Sequence, residues 1–147
     1  MSEAIAERKP LPTGTVTFLF SDIEGSTERW ERHRAQMKRA VERHEELMQA
    51  AIAGQDGYIF KMLGDAFCAA FRTVPEALNA AIAAQRALHA EDFSMVGELK
   101  VRMAIHTGLA DERGGDYFGP TVNRVARLLS IGSGGQILVS GAAADLA

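Results

Sequence analysis

The chain has 147 residues, of which 47% are hydrophobic and 24% charged, and its formal net charge is −3. This length suits one globular domain, and the slightly acidic balance excludes the basic face of a nucleic-acid-binding protein. No run approaches the roughly 20 apolar residues of a membrane span, and residues 1–12 lack the apolar core of a signal peptide. We therefore expect a cytoplasmic domain that binds neither nucleic acid nor membrane.

The only cysteine, Cys68, lies in the apolar run Ala66–Phe71. A single cysteine excludes an internal disulfide and suits a reducing compartment. We interpret its thiol as a buried small hydrophobe. Pro10 and Pro12 indicate a leader or linker over residues 1–14, which leaves residues 15–147 as the domain.

The first element in the chain is predicted to be a buried strand, because Thr15–Phe20 is rich in β-branched and aromatic residues. It ends at Ser21 and Asp22. After a turn, apolar residues at helical spacing predict one long amphipathic helix that ends near Gly54; they are Trp30, Met37, Val41, Met48 and Ile52. His33 and His44 lie among its charges, so we interpret both as solvated helix residues rather than metal ligands.

Residues 57–62 and 66–71 read as two strands joined by a short turn, which predicts a β-hairpin with Asp65 at its tip. Thr73 and Glu76 form a capping-box pattern that opens an alanine-rich helix through Leu88. A strand over 99–108, a helix from about 120 to 129 and a strand over 136–140 follow. This order predicts an α+β fold with a ferredoxin-like βαββαβ core, in which helices cover one face of a mostly antiparallel sheet.

Two carboxylates, Asp22 and Asp65, each follow an apolar strand where they have no packing role. Strand one and the hairpin are neighbours in the predicted sheet, so the two side chains can converge. Magnesium takes a few carboxylate oxygens and completes its octahedron with water and substrate phosphates. Alternatively, Asp22 caps the next helix and Asp65 only makes a turn.

Other polar residues suggest a nucleotide. Backbone N–H groups of Gly25, Ser26 and Thr27 at a helix start could contact a polyphosphate, although ordinary helix caps use the same residues. Asn123 and Arg127 stand four residues apart on one helix face and suit a ribose and a phosphate. Val122, Val125, Ala126 and Leu129 lie largely toward the core side of this helix. The alternative is that Asn123 and Arg127 form only a solvated helix face.

Lys61 interrupts an apolar strand, and Asp116 precedes an aromatic pair. An ammonium that donates to a ring nitrogen and a carboxylate that accepts from an exocyclic amine could together recognise a purine edge. A charge on an edge strand is the simpler explanation of Lys61.

Three ordered segments resemble the signature motifs of class III adenylate and guanylate cyclases, with the subtype similar to bacterial adenylate cyclase domains of multidomain regulators. They are FLFSDIEGST at 18–27, KMLGD at 61–65 and DYFGPTVNRVAR at 116–127, and GQILVS at 135–140 resembles the strand that follows them. The resemblance runs from about Thr15 to the end of the chain.

The resemblance implies a role for each matching residue. Asp22 and Asp65 would bind two Mg²⁺ or Mn²⁺ ions together with the backbone carbonyl of Ile23. Lys61 and Asp116 would select adenine. Asn123 would orient the ribose and Arg127 would stabilise the transition state.

The implied reaction is attack of the ribose 3′-oxygen of ATP on the α-phosphorus, which gives cyclic AMP and pyrophosphate. The implied assembly is a head-to-tail homodimer with composite active sites. The family usually places a basic residue for the triphosphate in final strands beyond Ala147, so we expect this chain to lack those strands. A guanylate cyclase, a nucleotide-binding regulatory domain without turnover and a structural dimerisation module remain alternatives.

Overall fold

The computed structural model describes residues 10–147; most of the predicted leader therefore lies outside the described residues. The strands are β1 (Gly14–Ile23), β2 (Tyr58–Leu63), β3 (Ala66–Phe71), β4 (Val101–Arg113), β5 (Asp116–Phe118) and β6 (Ile137–Val139). The helices are α1 (Ser26–Arg32), α2 (Arg34–Ala53), α3 (Val74–Ala90), α4 (Pro120–Ser130) and α5 (Gly141–Ala144), and a short 3₁₀ helix spans Ser94–Val96.

The sheet has the order β2-β3-β1-β4-β5, and β6 pairs with β4. β1 runs antiparallel to both of its neighbours, β3 and β4, and only β6 is parallel to its partner. The order of β2, β3, β1 and β4 confirms the predicted ferredoxin-like core. Among the described residues no helix is long and apolar enough to cross a membrane.

Helices cover both faces of the sheet, so the prediction of a single covered face was wrong. Leu19 and Ile23 pack in one core cluster with α2 and α3. Phe18 and Phe20 point the other way and pack in a second cluster that includes Val125 of α4. The burial of β1 on both faces explains its continuous apolar run, because such a strand does not alternate between apolar and polar residues.

The predicted long helix is two helices with a break at His33. That residue has φ −135° and ψ 45°, outside the helical region, and it ends α1 and precedes α2. Burial on α2 also differs from the prediction at His44, which is fully buried rather than solvated. The buried positions of α2 are 37, 40, 44, 48 and 52, so His44 lies on the stripe that faces the sheet.

Two local predictions are confirmed. Thr73 caps α3, since its side-chain oxygen accepts a hydrogen bond from the Glu76 amide at 3.3 Å. Cys68 is free and buried in the second core cluster, and burial raises the pKa of its thiol to about 11.

The sequence analysis missed β5 as a strand. β5 pairs with the end of β4, and this hairpin lies across the α4 side of the sheet. Tyr117 of β5 is buried, with its ring centroid 4.8 Å from that of Phe60 and 5.4 Å from that of Phe18. Its hydroxyl donates to the Pro12 carbonyl at 2.7 Å. A three-residue strand carries too little periodicity to be recognised in sequence.

We predict that His44 makes the protein less stable at acid pH. Burial lowers the pKa of His44 to about 4, and neither ring nitrogen has a hydrogen-bond partner. Between about pH 6.5 and pH 4 the unfolded chain therefore binds more protons at this residue than the folded chain, so the free energy of unfolding falls as pH falls. The loss attributable to His44 is on the order of 3 kcal/mol.

Urea unfolding of the wild type and His44→Leu from pH 7 to pH 4 measures this term. The leucine variant should retain the stability that the wild type loses over that range. Parallel stability curves for the two proteins would contradict the assignment. His89→Leu, which changes an exposed histidine on α3, is the matched control.

Candidate active site

The side chain of Asp22 lies at the end of β1 and forms a two-pronged ion pair with Arg102 of β4. Arg102 Nε donates to Asp22 Oδ1 at 2.7 Å and Nη2 donates to Oδ2 at 2.5 Å. The two residues are directly opposite in the β1–β4 register. This hydrogen-bonded pair raises the pKa of Arg102. These two hydrogen bonds hold the Asp22 carboxylate in one orientation.

Asp65 lies at the same end of the sheet, in the turn between β2 and β3. Ser21 of β1 pairs with Phe67 of β3. Asp22 follows Ser21 by one residue and Asp65 precedes Phe67 by two, so both lie next to this pair. The hydroxyl of Ser26 donates to Asp65 Oδ2 and joins the start of α1 to the hairpin tip. The structure thus brings both predicted carboxylates to one edge.

The backbone carbonyl of Ile23 lies at the same edge of the sheet as Asp22 and Asp65. The next amide, Glu24 N–H, donates to the Lys100 carbonyl at 2.9 Å and so points toward β4. In a trans peptide the C=O is antiparallel to the following N–H, and the described chain has no cis peptide. The Ile23 carbonyl therefore points to the opposite side, where β3 and Asp65 lie.

These groups suit a hard divalent cation. All three are oxygen donors, and the partners of the carboxylates are an arginine and a serine side chain that can rotate away. Among the described residues no cluster of three or more His, Cys, Asp and Glu side chains forms a metal site. Two carboxylates and a carbonyl match Mg²⁺ or Mn²⁺, which retain water and substrate oxygens as further ligands.

The predicted base-recognition residues meet within one chain. Lys61 Nζ lies 3.3 Å from Asp116 Oδ2, and both side chains are partly exposed. The two residues are 55 positions apart, and β2 and β5 come together because the β4–β5 hairpin crosses the sheet. Tyr58 adds a direct link, since its hydroxyl donates to the Gly115 carbonyl at 3.0 Å.

α4 presents Asn123 and Arg127 to solvent. The buried residues of α4 are Thr121, Val125 and Leu129, which fix the side of the helix that faces its own sheet. Asn123 and Arg127 are exposed, as is Ala126, which the sequence analysis wrongly placed toward the core. Among the described residues no hydrogen bond or ion pair joins Asn123 or Arg127 to Asp22 or Asp65 of the same chain.

Gly25, Ser26 and Thr27 lie at the start of α1, as predicted. Gly25 has φ 63° and stands at the N-cap of α1 without a side-chain cap. The Ser26 hydroxyl is bound to Asp65. Phosphate binding by these three residues stays a prediction.

Sequence reasoning missed Arg102. A signal was present, because Arg102 is a single charge in the buried segment of β4 from Val101 to Thr107. The sequence shows an arginine at a strand position, but the partner at Asp22 follows only from the β1–β4 register.

The whole described domain matches a known family. The family of adenylate and guanylate cyclase catalytic domains matches residues 9–147. The chain belongs to this family, as the resemblance of its motifs predicted.

Curated relatives carry the same region within longer proteins. An adenylate cyclase of Schizosaccharomyces pombe is 34% identical over an alignment of 154 residues, gaps included. The alignment covers 88% of this chain and 9% of that protein. An uncharacterised protein of Mycobacterium tuberculosis is 35% identical over 137 residues, which cover 92% of this chain and 46% of that protein. The chain therefore spans less than half the length of these relatives.

Solved structures share the fold. Adenylate cyclases from Trypanosoma brucei, described in their monomeric state, match with a TM-score of 0.87 and 30% identity over 96% of this chain and 80% of that chain. An adenylate/guanylate cyclase/hydrolase from Silicibacter pomeroyi matches with a TM-score of 0.76 and 33% identity over 86% of this chain and 76% of that chain.

Proposed function

We propose that this domain is an adenylate cyclase, which converts ATP to 3′,5′-cyclic AMP and pyrophosphate in composite sites of a homodimer in the cytoplasm. The observation that carries the proposal is the Lys61–Asp116 pair on the same domain as the Asp22–Asp65 edge. One pair supplies a donor and an acceptor for adenine, and the other supplies carboxylates for metal ions. The curated fungal relatives named adenylate cyclase support the same substrate.

The choice of base rests on Lys61 and Asp116. In the ion pair each charged group already has a partner, so neither is left unsatisfied before the nucleotide binds. Adenine would insert its edge between them, with a ring nitrogen accepting from the ammonium and the exocyclic amine donating to the carboxylate. A hydrogen-bonding site of this kind rejects a base that leaves its polar groups unpaired.

Asp22, Asp65 and the Ile23 carbonyl would hold the two metal ions. When bound, these ions supply a Lewis acid for the phosphates and lower the pKa of the attacking hydroxyl. Arg102 gives the same edge a positive group. Its guanidinium binds a carboxylate with two prongs, and a phosphate accepts the same planar fork. We propose that Arg102 exchanges Asp22 for a phosphate oxygen when ATP binds.

Asn123 and Arg127 require a second copy of the chain. α4 buries Thr121, Val125 and Leu129 against its own sheet, so Asn123 and Arg127 lie on its exposed side, where a second chain can reach them. In a two-fold dimer each exposed face can meet the partner's sheet edge. Asn123 would then orient the ribose and Arg127 would neutralise the charge that develops on the α-phosphate.

The metal assignment predicts that Asp22→Ala and Asp65→Ala each lower cyclic AMP formation by at least about 100-fold. Loss of a metal ligand should lower activity more than loss of a residue that only hydrogen-bonds to a ligand, which lowers it about 10–100-fold. Activity should require added Mg²⁺ or Mn²⁺. The exposed Asp145→Ala variant is the control and should retain activity.

Product formation is measured from ATP and Mn²⁺ with each purified variant, and circular dichroism verifies folding. Full turnover in either aspartate variant would exclude the metal assignment. A folded wild type that binds ATP without forming cyclic AMP would instead identify a regulatory nucleotide-binding domain.

The base assignment predicts that Lys61→Glu combined with Asp116→Cys lowers the preference for ATP over GTP by at least about tenfold, since both complementary groups are lost. The ratio of kcat/KM for the two nucleotides measures the preference. Arg43→Ala, which breaks the exposed ion pair with Glu46 on α2, is the control and should keep the wild-type ratio. An unchanged ratio in the double variant would place base recognition elsewhere, and a wild-type preference for GTP would identify a guanylate cyclase.

The composite site predicts complementation between Asp22→Ala and Arg127→Ala. Each variant alone is inactive, because both sites of its homodimer lack one group. A mixed dimer has one site with both groups intact. With random exchange about half of the dimers are mixed, so activity should recover to roughly a quarter of the wild-type value.

The matched control mixes Asp22→Ala with Asp65→Ala, whose defects lie in the same half of the site. That mixture should stay inactive, because every site then takes a defective metal half. Differently tagged chains verify that subunits exchange. If subunits exchange and the mixture of Asp22→Ala with Arg127→Ala does not recover activity, the proposal that two protomers share the site is wrong.

A further inference from the structure

Arg29 of α1 contacts the turn that directly follows Asp22 and Ile23, two of the predicted metal ligands. Its Nη1 donates to the Glu24 carbonyl at 2.5 Å and to the Gly25 carbonyl at 3.3 Å. Its Nε donates to the Glu98 carbonyl at 2.8 Å. One guanidinium therefore joins the turn after β1 to the loop before β4.

Both joined segments lead directly into the site. The turn follows Asp22 and Ile23, and the loop precedes Arg102, the partner of Asp22. The backbone hydrogen bond from Glu24 N–H to the Lys100 carbonyl lies between the same two segments. Since that bond orients the Ile23–Glu24 peptide, Arg29 supports the direction of the Ile23 carbonyl.

The local backbone is adapted to this contact. Gly25 has φ 63°, and a Cβ there would lie 2.8 Å from Arg29 Nη1, so a side chain at position 25 would collide with the guanidinium. Glu98 has φ 69°, a left-handed conformation that is costly for a non-glycine residue. The carbonyl of this strained residue is the one that accepts from Arg29 Nε.

We propose that Arg29 is a positioning residue, which fixes the turn over residues 23–26 so that the Ile23 carbonyl and Asp22 are preorganised for a divalent cation. A lysine cannot replace it fully, because an ammonium lacks the planar fork that reaches three carbonyls. The metal part of this inference rests on the proposed function, whereas the link between the two segments does not.

The first test uses hydrogen exchange in protein without metal or nucleotide. In Arg29→Ala the Glu24 amide should exchange at least about tenfold faster than in the wild type, with Arg29→Lys between them. Arg32→Ala, an exposed arginine on the same helix, is the control and should match the wild type. Unchanged exchange at Glu24 in both Arg29 variants would overturn the proposal, whatever the protein's activity.

The second test separates positioning from general stability. Mn²⁺ binding without nucleotide is followed by the electron paramagnetic resonance signal of free Mn²⁺, and cyclic AMP formation is measured against Mn²⁺ concentration. Loss of a residue that supports the metal ligands without contacting the metal weakens metal binding roughly 10–100-fold. We therefore expect both Mn²⁺ curves of Arg29→Ala to shift by that factor, with kcat recovering at saturating Mn²⁺.

A merely structural role would lower the melting temperature and the active fraction but leave the Mn²⁺ midpoint unchanged, and that result would overturn the positioning role. Arg29→Lys gives the same comparison if the alanine variant does not fold. A wild type that binds Mn²⁺ but forms no cyclic AMP would contradict the proposed function and leave the Arg29 binding shift measurable.

Discussion

The burial of β1 on both faces is the constraint on which the rest of the structure depends. Leu19 and Ile23 pack against α2 and α3, and Phe18 and Phe20 pack under β5 and α4. A strand held on both faces and hydrogen-bonded on both edges cannot shift its register without moving every side chain to the wrong face. The position of Asp22 at its end is therefore fixed by the core rather than by surface contacts.

A second consequence of the same core is the meeting of Lys61 and Asp116. Tyr117 packs its ring on Phe18 and Phe60, and these aromatic contacts hold the β4–β5 hairpin across the sheet. Edge-to-face pairs of this kind contribute about 0.5–1.5 kcal/mol each beyond their buried area. Aromatic packing, together with the hydrogen bond from Tyr58 to the Gly115 carbonyl, thus holds the strands that carry Lys61 and Asp116 next to each other.

The sequence predicted the fold core and the two carboxylates because each left a local pattern. The hairpin shows as two apolar runs with a short turn, and Asp22 and Asp65 follow such runs directly. The burial of His44 could also have been predicted, since this residue lies on the same helix stripe as Met37, Met48 and Ile52. The polar imidazole favoured the prediction of a solvated residue instead. Arg29 had none, because it is one of several charges on a short helix and only the fold brings the Glu98 carbonyl to it.

The exposure of the Asp22–Arg102 pair decides how it can act in a reaction cycle. The two side chains are 23% and 25% exposed, so water screens the attraction between them. An exposed ion pair contributes about 0–1 kcal/mol and a buried pair that loses one partner costs about 3–5 kcal/mol, so this two-pronged, partly exposed pair lies between those limits. In the exchange proposed above, a phosphate oxygen would replace the carboxylate of Asp22 as the partner of the Arg102 guanidinium. The pair therefore orients both side chains at the sheet edge where we propose that the metal ions and the nucleotide bind.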